Sequence, residues 1–329
     1  MPRFCRHNRL LQNCPICSRE QEVELRPIVS SSAPRAAEPR DRGARPPAQR
    51  QRTPRPGSRS GVTVRRLRNA EDDGYRSPLA AGLKSSEEAH RLAAELAFAA
   101  TRLQTLASDP PGLYAEVADT SAEIEERTWL AFLIAYLGPL ESDDPFSALR
   151  AARTSWASGE PPALEGVQTG PRGAHDPGHG ERTLAAYRAW AERAGSQAAA
   201  FGGEPGWSPE RRFARTLERL ALPGLTRDAR FDLLVTLGRL GVYELRAGAL
   251  AFGGSDEVTL AAKRALGIGD SLLLERRAAQ LAEATGVPLD ALDLGFYNWE
   301  RGERATAGLG PEAQAEPSLV QAASAALEL

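Results

Sequence analysis

No cysteine follows residue 17, no lysine follows residue 263, and no apolar run approaches the length of a membrane span. The first absence excludes a disulfide framework for the body of the chain. The longest strongly apolar stretch, Trp129 to Leu137, falls far short of the roughly 20 residues a spanning helix needs. Alternating runs rich in Val, Thr and Tyr are also missing, so nothing reads as a strand. The N-terminus carries no apolar h-region, which argues against secretion. These absences predict an all-α, soluble, cytoplasmic protein with no membrane contact.

What the chain does hold begins at its first residues. All three cysteines fall within Cys5-x-His7-x6-Cys14-x2-Cys17, beside one of only four histidines. Three thiolates and an imidazole complete a tetrahedral, closed Zn²⁺ site of the structural kind. Cys14-Pro-Ile-Cys17 forms one tight turn and Cys5-Arg-His7 faces it. A disulfide and unrelated thiols are the competing readings, and the odd cysteine count weighs against the first. We therefore expect a zinc knuckle over residues 1–20, with Zn²⁺ in a structural role. Small zinc modules of this kind either touch nucleic acid or simply staple the chain end.

Residues 21–78 are rich in Pro, Arg, Ser, Gly and Ala, with few large apolar side chains. Such a segment cannot bury enough surface to offset its ordering entropy and reads as a disordered linker. Its arginines (Arg50, Arg52, Arg55, Arg59, Arg65, Arg66 and Arg68) suit phosphates without reading sequence, or serve only to keep a spacer solvated. The formal net charge of −2 conceals this local excess of positive charge.

From Ser85 the pattern turns helical. Leu92, Leu96, Ala99, Leu103 and Leu106 recur at three-to-four spacing. A second helix is expected from Ser121 to Leu137, with acid in its first turns and Gly138-Pro139 as its stop. Its second half is apolar on every side, as a central core helix requires. A Gly/Pro-rich loop spans Gly159 to Gly180. Further helices are expected over Glu181–Gln197, Pro209–Leu220, Asp228–Leu240, Asp256–Leu266, Ser271–Thr285 and Leu289–Glu300. The helical domain is bounded at 79–310, with a tail over 311–329.

Chemistry concentrates near the C-terminus. A helix carrying Lys263 and Arg264 ends in Leu266-Gly267-Ile268-Gly269 and restarts at once at Asp270-Ser271. The glycines permit a sharp turn and close backbone approach. The N–H groups of the turn and the next helix start can hold a phosphate. An ordinary helical hairpin would carry glycines too. At 23 residues beyond Gly267 stands Asp290, after Gly286-Val287-Pro288, and Asp293 follows one helical turn later. Aspartate there is either a helix N-cap or a reactive carboxylate.

A second cluster precedes the hairpin. Tyr187 and Trp190 share a helical face, and Arg193 and Gln197 lie four apart. With Asn298 and Trp299 they supply aromatic faces and amide or guanidinium donors suited to a flipped base. Taken one by one, Tyr187 and Trp190 read first as core residues and the arginines as solvated.

The hairpin and its following aspartate resemble the helix-hairpin-helix DNA glycosylases. Together with Cys5-Arg-His7-Asn8-Arg9…Cys14-Pro-Ile-Cys17 and Arg193-Ala-Gly-Ser-Gln197, they look like one bacterial family, the alpha-glutamyl/putrescinyl thymine pyrophosphorylases of clade 3. The resemblance covers the knuckle and most of residues 120–300. It implies a glycosylase-like helical domain acting on a bulky modified pyrimidine in double-stranded DNA. Asp290 would support cationic charge on the sugar, with Asp293 in reserve. Lys263, Arg264, Gly267, Gly269, Asp270 and Ser271 would meet the DNA backbone. Backbone-cutting relatives place a lysine just after the hairpin glycines, whereas this chain has Asp270, Ser271 and Leu272. The four-cysteine iron–sulfur cluster of some relatives is missing too. The expectation is a monofunctional glycosylase that excises a hypermodified base, such as a glycosylated 5-hydroxymethyl pyrimidine, from phage DNA as antiviral defence. The alternatives are a transferase or pyrophosphorylase that alters hypermodified thymine, and a non-enzymatic zinc-knuckle binder of nucleic acid. No obligate protein partner is evident.

Purified protein should carry about one Zn²⁺ per chain, because thiolate-rich structural sites bind tightly at neutral pH. Metal analysis finding no zinc, with all three thiols freely titratable, would refute the ligand set Cys5, His7, Cys14 and Cys17.

Overall fold

The computed structural model describes residues 71–329. The expected zinc knuckle and nearly all of the arginine-rich linker lie outside the described residues. Within them the chain is all-α: twelve helices occur and no strand.

Helix α1 (Ser86–Ser108) buries Leu92, Leu96, Leu103 and Leu106, the residues whose spacing marks it as amphipathic. Two short helices flank the next crossing, α2 (Leu113–Ala118) and, later, α4 (Ser147–Ala152). Between them α3 (Ile124–Leu137) runs through the centre of the core. Trp129, Phe132, Leu133, Ile134 and Tyr136 are all buried on it, which explains why its sequence has no polar face in its second half. At roughly 1.5–3 kcal/mol for each large apolar side chain buried, this one helix supplies a large share of the folding drive. It stops at Gly138, in a positive-φ conformation, ahead of Pro139.

The start of α3 differs from expectation. Helix begins at Ile124, and Ser121 instead closes a turn by donating its N–H to Asp119. The expected Glu181–Gln197 helix is likewise divided, into α5 (Gly180–Arg193) and α6 (Gln197–Gly202). Gly195 takes a φ of 93°, and Ser196 caps α6 by accepting from Ala199 N. A local side-chain acceptor plus a glycine thus breaks what periodicity alone joins.

Helix α7 (Pro209–Arg219) starts with Ser208 as N-cap and Pro209 in its first turn. Thr226 caps α8 (Arg227–Arg239), which packs against α3. The hairpin follows: α9 (Glu257–Leu266), capped by Asp256, and α10 (Ser271–Thr285), capped by Asp270. Gly286 ends α10 in the left-handed region, and α11 (Ala291–Arg301) packs between α1 and α9.

Two segments outside the expected domain also belong to it. The stretch read as a tail contains α12 (Pro317–Ala326), which packs on α1 and α10 and buries Ala323 and Leu327. At the other end, residues read as the close of the linker are packed, with Ser77 buried and Tyr75 half-buried. Tyr75 donates its hydroxyl to Leu327 O, so the two ends of the described chain hold each other.

The strap around Gly82 bears on the hairpin. Gly82 N donates to Ala265 O at 3.1 Å, and a Cβ on Gly82 would stand 1.8 Å from Arg264 O. Gly82→Ala should therefore lower stability by about 1–3 kcal/mol through overpacking. Gly202→Ala, which meets open space, should be neutral or slightly stabilising. Urea denaturation of the pair checks this; equal midpoints would show that the strap does not pack on the hairpin.

Candidate functional site

The hairpin turn is short and exposed. Gly267 ends α9 with φ 68°, donating its N–H to Lys263 O at 3.0 Å. Gly269 is exposed, and a Cβ built there meets nothing within 4 Å. Asp270 accepts from Leu273 N, which satisfies one of the orphan donors of α10. Ser271 is half-buried, and the neighbouring Leu272 and Leu273 are 76% and 52% exposed. Lys263 is half-buried with no ion pair among the described residues, whereas Arg264 is fully engaged. It pairs with Glu88 at 2.9 Å and Glu300 at 3.2 Å and lies 4.2 Å from the Trp299 ring centroid.

Asp290 stands at the N-cap position of α11, but its side chain makes no capping hydrogen bond. Its carboxylate instead holds Arg239, at the end of α8, through Nε–Oδ2 at 3.0 Å and Nη2–Oδ1 at 2.6 Å. This fork is a two-point contact with good geometry. The Asp290 side chain is 8% exposed and that of Arg239 31%. Both line an open polar cleft of about 360 Å³, together with Pro209, Gly238, Tyr243 and Arg246. Glu244 and Leu245 complete the lining, so the walls carry two arginines and two carboxylates.

Asp293 lies one turn further in and is buried. It accepts from Arg172 Nη2 at 2.6 Å and pairs with Arg227. Arg172 also forks onto Asp232, at 2.6 and 3.0 Å, and its guanidinium lies 4.7 Å from the Tyr297 ring centroid. Asp228 pairs with Arg227 at 3.3 Å. This buried lattice thus sets three carboxylates against two guanidinium groups. Burial opposes charge on Arg172, but Asp232 and Asp293 outweigh it and hold the group protonated more firmly than usual. The Asp228 carboxyl is raised, chiefly by burial, with Asp293 and Asp232 adding to the effect against Arg172 and Arg227. Burial also pushes the Tyr297 phenol up to about 12. Arg172 Nη1 and Arg227 Nε are buried without acceptors. A lattice with so many satisfied charges fixes geometry; it does not offer a free acid or base.

The residues proposed for a base pocket divide into separate groups. Tyr187 stacks on Phe132 with centroids 3.7 Å apart and donates to Gln197 Oε1 at 2.6 Å. Gln197 in turn donates to Glu125 O at 2.9 Å. Trp190 packs edge-on to Phe201, and Arg193 is exposed at the end of α5. Asn298 exchanges hydrogen bonds with the Ala305 backbone, and Trp299 donates to Glu88 O at 3.0 Å. None of these six lines the Asp290 cleft. Apart from Arg193, their side chains hold helices together: α5, α6 and α3 in one group, α11 and α1 in the other.

Sequence reasoning missed Arg239, Arg172 and Arg227, each paired with a carboxylate distant in the chain. Asp228 and Asp232, four apart on α8, were the one available signal that a buried charge awaited partners. Among the described residues no cluster of His, Cys, Asp and Glu is arranged to hold a metal ion. No helix of the described residues is long and apolar enough to cross a membrane. Compared with models of protein families, with curated proteins and with solved structures, the chain matches none.

Asp228 gives a pH-dependent prediction. Its carboxyl is raised in the folded state, so its ionised form weakens folding above that raised value. Below the ordinary carboxylate range the group is protonated both folded and unfolded, and the penalty vanishes. Asp228→Asn should therefore be more stable than the parent at neutral pH, with the difference closing as pH falls. Urea midpoints measured across the acid range test it; a variant less stable at neutral pH would mean that Asp228 is a needed partner of Arg227.

Proposed function

We propose that the chain is a monofunctional DNA glycosylase that excises a hypermodified pyrimidine from phage DNA, leaving an abasic site as antiviral defence. The observation that carries this reading is the carboxylate of Asp290. It sits at the start of the helix after a glycine hairpin, in an open polar cleft, and does no capping work. A carboxylate at that position suits a reaction in which the departing base leaves cationic charge on the sugar.

The chemistry follows from the groups present. The C1′–N1 bond breaks and the base departs with the electron pair, taking a proton from solvent. Water adds to C1′, and Asp290 accepts its proton and passes it on. The product is an abasic sugar in an intact strand. In the unliganded protein Arg239 neutralises Asp290. Because Arg239 is partly exposed, a DNA phosphate entering the cleft competes for it and frees the carboxylate. The exposed Gly269 turn, with the capped start of α10 behind it, supplies backbone N–H groups for a second phosphate.

A backbone-cutting mechanism needs an amine for a Schiff base. The chain has two lysines, Lys84 and Lys263, and neither follows the hairpin glycines. A transferase acting through a diphosphate needs more cations gathered at the cleft than the two arginines that line it. Arg239 is paired with Asp290, and Arg246 pairs with Glu210 at 3.0 Å.

Asp290→Asn should abolish base release while leaving affinity for modified DNA largely intact, since the carboxylate charge that stabilises the transition state is lost but side-chain size is kept. Asp293→Asn should act differently, lowering stability, because it removes one of the two carboxylate partners of both Arg172 and Arg227 in the core. Strands should break only on alkali or heat. Wild-type turnover in Asp290→Asn would remove the proposed role, and a borohydride-trapped enzyme–DNA link would overturn the monofunctional mechanism.

A further inference from the structure

Helix α7 presents a face that the cleft chemistry does not use. Arg211, Arg215 and Arg219 recur every four residues and all three are exposed. They form a row with about 6 Å between successive residues along the axis. The opposite face, with Phe213, Thr216 and Leu217, is buried against the rest of the fold, and Phe213 meets Phe231 edge-on at 5.3 Å. The row therefore has one orientation and cannot turn inward. Arg215 shares its charge with Glu218 at 3.0 Å. Arg211 and Arg219 have no carboxylate partner among the described residues. Their guanidinium groups lie 5.5 and 5.2 Å from the Trp207 ring centroid, which holds them against the surface.

The row leads to the cleft. Pro209, the first residue of α7, lines the Asp290 cleft, and its carbonyl accepts from Arg246 N at 3.4 Å. Arg246 and Arg239 line the cleft wall as far as Asp290, paired with Glu210 and Asp290 and interleaved with Glu244. The three arginines span about two turns of one exposed helix face, so an extended polyanion fits them better than a compact one.

We infer that Arg211, Arg215 and Arg219 form a phosphate track that carries one nucleic-acid strand along α7 towards the Asp290 cleft. The inference rests on reading that cleft as a DNA site. The track gives affinity and direction without sequence preference, as arginine–phosphate contacts do.

Fluorescence anisotropy of the full chain with a labelled, unmodified duplex, over a series of salt concentrations, tests the track without measuring base release. The variant Arg211→Gln/Arg215→Gln/Arg219→Gln should bind more weakly at low salt. Its plot of log affinity against log salt should be shallower by about one per arginine, roughly three in all. Arg150→Gln, an exposed arginine on α4, should leave the slope unchanged. All three replaced side chains are exposed, and an unchanged thermal midpoint would confirm that the variant folds. A triple variant with the parent's affinity and slope overturns the track, as does equally tight binding of the parent to polyglutamate competitor. A chain that binds through these arginines yet releases no base would leave the track standing and remove the glycosylase reading.

Discussion

One buried guanidinium ties the site together. Arg172 comes from the long loop before α5, yet it bridges Asp232 on α8 and Asp293 on α11 and lies over Tyr297. Taking such a group out of water carries a penalty of several kcal/mol, repaid only by good geometry on every side. The loop is held to its task by the end of α3: Gly170 N donates to Leu137 O and Ala174 N to Tyr136 O. The position of α11, and with it Asp290, thus depends on a charge lattice anchored to the aromatic-rich helix α3.

The two aspartates of α11 show how burial divides labour. Asp293 has its partners deep in the core, where exchanging them for water or a ligand is expensive. Asp290 has a single partner at the rim, and that partner is partly solvated. A pair solvated on its arginine side exchanges that partner more readily than one enclosed in the core. The same helix turn therefore supplies a fixed point and an adaptable one. Exposed backbone at Gly269, apolar side chains at Leu272 and Leu273, and the arginine row of α7 are further parts of the surface that no other described segment covers.

The sequence was legible where the determinants are local. Asp256, Gly267, Asp270 and Gly286 each act on a neighbouring turn, so both hairpin helices were bounded to within a residue. Ser208-Pro209 marked α7 for the same reason. Six-residue helices such as α2 and α4 are too short to show a period, and α12 escaped because its small residues carry little apolar contrast. At the site, Asp290 was visible by its place after the hairpin, but Arg239 stands 51 residues away and no local rule joins them. Tyr187, Trp190 and Gln197 illustrate a different limit. The face that looks suited to a ligand is the face a helix needs for its core, and here Phe132, Phe201 and Glu125 occupy it.

The central claim is that the Asp290 cleft removes a modified base from DNA. The direct measurement is mass spectrometry of the soluble fraction after the full chain is incubated with phage DNAs carrying different modified pyrimidines, with abasic sites counted in the same strands. The account predicts a free modified base from at least one such DNA, matched by abasic sites in intact strands. No free base from any of them, or a base altered but still attached to its sugar, would contradict it.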